Sequence, residues 1–139
     1  MNFNQQLAQF IEEISQGNYV NFRNAIAQGE KTKLNLEHMK LKGLPDTFYG
    51  HLAIALQGTN VTTVNLKFNK IGPVGAANFA RNLQGTNVTT IDLSLNNIGP
   101  AGAANVARNL QGTKVTTVDL SVNNIGFEGA ANFIRNLQG

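Results

Sequence analysis

The chain has 139 residues, 42% of them apolar, which is enough for one domain with a continuous core. It contains no cysteine, so no disulfide can staple it, and no apolar run approaches the length of a membrane span. The formal charge of +3 is spread along the sequence, and Met1 to Gln6 carry neither the basic nor the apolar part of a secretory signal.

Residues 3–16 place Phe3, Leu7, Phe10, Ile11 and Ile14 on one helical face, with Glu12 and Glu13 off it. A second helical stretch, Val20 to Gln28, carries Phe22, Ala25 and Ile26 and ends at Gly29. Its tail, Ala25 to Gly29, is similar to Arg81 to Gly85, so it reads as the helical half of a decayed repeat. Residues 1–30 are therefore expected to form a helical N-terminal cap, although an amphipathic helix could instead dock on a membrane or a partner.

The next unit, 31–60, is the least regular. Leu34 and Leu36 predict a short strand, and the step to the next copy is 30 residues. Leu44-Pro45-Asp46-Thr47 punctuates before a helix through Phe48, Leu52, Ala55 and Leu56, with Asp46 or Thr47 as its expected N-cap.

From Val61 the sequence repeats itself. Units 61–87, 88–114 and 115–139 follow at a fixed offset of 27 residues, and the first two differ at only eight positions. Self-similarity at such a period is the mark of a solenoid. Within a unit, Val61, Val64 and Leu66 alternate with polar residues as a strand with one buried face. Ala76, Phe79, Ala80 and Leu83 then recur at helical spacing, Pro73 suits the first helical turn, and Gly85 suits a left-handed stop.

The spacing Val61, Val64, Leu66, Asn69, Ile71 resembles the leucine-rich repeat, and the helical second half is similar to its ribonuclease-inhibitor-like class. The resemblance covers 31–139. It implies a right-handed α/β superhelix with a parallel sheet on the concave face and helices on the convex face. It also implies that Asn69, Asn96 and Asn123 form a ladder, each side chain bonding backbone of its own and the neighbouring coil. Met39 holds that position in the first unit, where the pattern breaks. Extracellular members resemble one another in having disulfide-stapled caps, so the absence of cysteine implies an intracellular protein.

No chemistry stands out. His38 and His51 fall on different faces and cannot share a metal, and no phosphate loop or serine–histidine–acid set is present, so no cofactor or catalytic residue is expected. Asp92 and Asp119 become neighbours on adjacent strands, where two carboxylates would raise one another's pKa. Arg81, Arg108 and Arg135 form an outer column that could track phosphates, but no aromatic residue interleaves with it to stack bases. Some family members are GTPase activators; that likeness is of fold alone.

A non-catalytic scaffold for another protein is the expected function. Strand register aligns Asn65 with Asp92 and Asp119, and Lys67 with Ser94, on the exposed face. Phe68, Leu95 and Val122 form the next column and either tuck under the loops or stand exposed in a row; Lys70 lies just beyond. Four of the eight differences between the first two units fall here, so Asn65, Lys67, Phe68, Lys70, Asp92, Ser94, Leu95 and Asp119 are the predicted contact residues. In the last unit Phe127, Phe133 and Ile134 replace Pro100, Val106 and Ala107. That apolar end is a candidate for self-association through the C-terminal coil, unless Phe127 and Ile134 fold back to close it.

Overall fold

The computed structural model describes residues 2–38 and 44–137, so Met39 and Lys40 lie outside the described residues. Among the described residues six helices and four strands follow one another: α1 (Phe3–Ser15), α2 (Val20–Gln28), β1 (Lys33–Asn35), α3 (Asp46–Ala55), β2 (Thr63–Asn65), α4 (Gly72–Arg81), β3 (Thr90–Asp92), α5 (Gly99–Leu110), β4 (Thr117–Asp119) and α6 (Gly126–Leu137). The strands form one parallel sheet in sequence order. Its register follows the repeat: Lys33 sits beside Thr63, Thr63 beside Thr90, and Thr90 beside Thr117. Helices α3 to α6 stack one against the next in the same order, which makes the α/β solenoid expected from the repeat.

The two periodicities meet in the core. Val64 and Ile91 enter from the strands and Leu66 and Leu93 from just past them, while Phe79, Ala80 and Val106 enter from the helices and Leu83 from just beyond α4, all fully buried. Each such large side chain stabilises the coil by roughly 1.5–3 kcal/mol. At the first end, Phe3, Phe10 and Phe22 of α1 and α2 cluster with ring centroids 5.4–6.1 Å apart and join the same core. Arg23 of α2 donates to the carbonyls of Ile54 and Ala55 at the end of α3, and His51 of α3 lies 2.7 Å from the Tyr19 hydroxyl.

Some local expectations shift. Pro45 takes the N-cap position of α3, so Asp46 is already helical and sits in the first turn, where the helix dipole favours its charge. Helix α4 gives out at Arg81, four residues before Gly85, although Gly85 does take the left-handed conformation at φ +79°. Arg81 and Arg108 are exposed, and each donates to the asparagine one turn back, Asn78 and Asn105. The Arg135 side chain of that column lies outside the described residues.

Helices α5 and α6 approach their neighbours closely because of single glycines. A methyl on Gly102 would come within 2.7 Å of the Pro73 ring, and one on Gly129 within 3.1 Å of Pro100. The last coil is the least covered. Val118 and Ile125 are only half-buried, whereas Val64, Ile91, Ile71 and Ile98 at the same positions are fully enclosed. Phe127 and Ile134 are 96% and 56% exposed and do not fold back. Phe133, expected on the outer surface with them, is instead half-buried against the core, because it occupies the helix position held by Phe79 and Val106.

Candidate functional site

Strands β2, β3 and β4 each leave the sheet through a loop that turns sharply into the next helix, and a ladder asparagine fixes that loop. Asn96 Nδ2 donates to the carbonyls of Leu66, Leu93 and Ser94, and its Oδ1 accepts from the N–H of Asn69 and Ile71. Asn123 repeats the set one coil on, donating to Leu93, Leu120 and Ser121 and accepting from Asn96 and Ile98. All three ladder asparagines are buried. Backbone groups that leave the sheet without water must find such partners.

This loop holds residues on both sides of the asparagine in the left-handed region. The φ angles are +62° and +53° at Phe68 and Lys70, +57° and +58° at Leu95 and Asn97, and +54° and +55° at Val122 and Asn124. Asparagine tolerates that region; phenylalanine, leucine and above all a β-branched valine do not. A strained backbone of this kind persists only where the surroundings over-determine it, and here the ladder does so.

The strained turn aims three apolar side chains outward. Phe68 is 48% exposed, Val122 is 72% exposed, and Leu95 between them is half-buried. They stand in a row on the ridge, so the reading that tucks them under the loops does not hold. With Lys70, Asn96, Asn97 and Asn124 they line a shallow groove of about 250 Å³. The His38 ring packs against Phe68, with centroids 4.6 Å apart.

Beside the ridge, the open face of the sheet carries the predicted polar columns. Asn65 and Asp92 are half-exposed and Asp119 is exposed. Lys67 faces Glu37 at 3.8 Å, so its charge is partly offset. Ser94 does not belong to the contact surface: only 3% of it is exposed, and its hydroxyl turns onto Asp92 Oδ1 at 2.6 Å.

Asp119 departs from the expected rise in pKa. The pairing Asp92 with Asp119 is present in the register, but each carboxylate accepts both the N–H and the hydroxyl of the serine two residues on. For Asp119 the Ser121 hydroxyl, then the Ser121 N–H, hold the carboxyl below its usual range, and Lys67 adds to this against a small cost of desolvation. Hydrogen bonds to the charged form thus lower the Asp119 pKa, where the sequence reading expected a rise.

Sequence reasoning set Val122 in this column but left it, with Asn97 and Asn124, out of the predicted contact residues. The available signal was the recurrence of an apolar residue immediately before each ladder asparagine, with asparagine immediately after it in the last two units. The family model described as leucine-rich repeat matches residues 59–80, 86–107 and 113–133, once in each of the three regular coils. No curated protein matches the chain.

Proposed function

The chain belongs to the leucine-rich repeat family, and from that premise we propose that it is a non-catalytic protein-binding scaffold of the ribonuclease-inhibitor-like class. Proteins built from these repeats bind other proteins. The contact runs along the loop ridge and the neighbouring open face of the sheet, with Phe68, Leu95 and Val122 as apolar anchors. Lys67, Lys70, Asn65, Asp92 and Asp119 form its polar margin.

One observation carries this reading: an apolar side chain sits on a left-handed backbone in three successive coils, exposed at Phe68 and Val122 and half-exposed at Leu95. For a non-glycine residue that backbone costs about 1–2 kcal/mol, and exposure returns little of the roughly 1.5–3 kcal/mol that burial would give. Neither the local conformation nor the core explains these residue types, whereas a partner that buries them does. Lys70 at one end and Asp119 at the other favour a partner segment with the opposite charge polarity.

Paired variants test this. Phe68→Asn with Val122→Asn keeps the turn and removes the anchors, because asparagine suits both the left-handed backbone and water. Immobilised chain should capture a defined set of proteins from nuclease-treated lysate of the source cell, and the double variant should lose that set. Equal capture by both would remove the ridge from the contact. Capture that disappears with nuclease treatment would point to nucleic acid instead.

A further inference from the structure

Phe68, Leu95 and Val122 stand in a row whose spacing fits one kind of regular segment. Taking the ridge as the contact surface, we propose that its partner segment is an amphipathic α-helix laid across the coils, with its C-terminal end beside Lys70. The groove along the row, about 250 Å³, is smaller than the roughly 300–1,000 Å³ of a pocket that encloses a small ligand. Two columns line it, one on each side of the ladder position: Phe68, Leu95 and Val122, and then Lys70, Asn97 and Asn124. Such a trough accepts side chains from a partner whose backbone stays outside.

The coil-to-coil spacing is set by hydrogen bonds that reach the ridge itself. The N–H of Phe68 donates to the Ser94 carbonyl at 3.1 Å, and that of Leu95 to the Ser121 carbonyl at 3.0 Å. Past the ladder, the N–H groups of Gly72 and Gly99 donate to the carbonyls of Asn96 and Asn123, each at 2.9 Å. Neighbouring chains bonded this way stand about 4.8 Å apart, so the row spans roughly 10 Å from Phe68 to Val122. On a helix, residues i, i+3 or i+4, and i+7 share one face, and seven steps carry the third anchor about 10.5 Å along. On an extended strand, alternate side chains advance about 6.7 Å, which puts the third roughly 13 Å from the first. A polyproline helix repeats one face every about 9.3 Å and passes over Leu95 altogether. Three successive anchors on three successive coils therefore match a helix. The anchors also sit on a turn already fixed by the ladder, so binding has little left to order on this side.

Charge gives the direction. Beside Phe68 stand Lys67 and Lys70, with Lys67 partly offset by Glu37. In the following coils those two positions are Ser94 and Asn97, then Ser121 and Asn124, while Asn65 gives way to Asp92 and Asp119. The row is thus basic beside Phe68 and acidic toward Val122, where Asp119 is exposed. A helix carries partial negative charge at its C-terminus and partial positive charge at its N-terminus, so its C-terminal end lies over Lys70. Carboxylates in that last turn complete the match.

Selection on the immobilised full chain from a displayed library of random peptides of about 16 residues, about four helical turns, tests this. The captured sequences are expected to share large apolar residues at i, i+3 or i+4, and i+7, with acidic residues toward the C-terminal end. A synthetic peptide of that consensus should gain helical circular dichroism on binding, and should bind Phe68→Asn with Val122→Asn about tenfold more weakly or worse. Lys70→Glu, on an exposed side chain, should weaken it severalfold and turn the selection toward peptides with a basic C-terminal end. If the double variant loses the circular dichroism of the parent, Lys70→Glu carries the test alone. Apolar residues at alternate positions in peptides that still fail on the double variant would overturn the helix and leave the ridge as the contact. A library that yields no enriched sequence would overturn the helix too. A helical consensus that binds the double variant as tightly as the parent would overturn the ridge itself, and the proposed function with it.

Discussion

Asn69, Asn96 and Asn123 do for the turns what a strand does for the sheet. Each buried amide serves backbone groups of two coils, and Asn96 alone makes five such bonds. Replacing Asn96 with Ala would strand several of those groups without water, at about 1–3 kcal/mol each where no partner takes over. Asn96→Ala is therefore expected to lower stability by roughly 3 kcal/mol or more in urea denaturation, with loosened amide exchange at Ile71 and Asn69. A loss below about 1 kcal/mol would show that water replaces the ladder. The ladder positions were legible because asparagine recurs at one offset in every regular unit. The left-handed residues flanking it were not, since Phe68, Leu95 and Val122 are types that local preference assigns elsewhere; the hydrogen-bond network overrides that preference.

At the scale of elements, the helices show how one residue type serves two ends. Gly99 opens α5 with φ +71° and nothing near its absent side chain, so its need is conformational. Gly102, three residues on, has an ordinary backbone and no room, because Pro73 of the preceding helix and Ile98 crowd it. Alanine within a helix ordinarily gains about 0.5–1 kcal/mol over glycine. Gly102→Ala is expected to reverse that sign and destabilise by roughly 1–3 kcal/mol, since a proline ring cannot swing aside. A stabilised variant in thermal unfolding would mean that α4 and α5 slide apart freely. The strands, the helices and their order could all be read from the two periodicities. The ends of α3 and α4 could not, because Pro45 pre-empts the capping residue and α4 unwinds before its glycine.

For the whole molecule, the repeat both reveals the fold and obscures the site. Near-identical coils bring like residues together in columns, so Asn65, Asp92 and Asp119 were placed correctly on one face from register alone. Register does not say which column reaches solvent. Ser94 turns inward onto Asp92, while Val122 turns outward, and that distinction depends on the path of the loop. The described helices include none long and apolar enough to cross a membrane. What remains unaccounted for by folding is the ridge, where three apolar residues stand against their backbone and two of them, Phe68 and Val122, against solvent as well. The denaturation midpoint of a chain carrying Phe68→Asn, Leu95→Asn and Val122→Asn tests that claim most directly. If the anchors serve a partner, the triple variant is expected to be as stable as the parent or more so, by up to about 1–3 kcal/mol of relieved strain; a loss of that size would make the ridge part of the core and contradict the account.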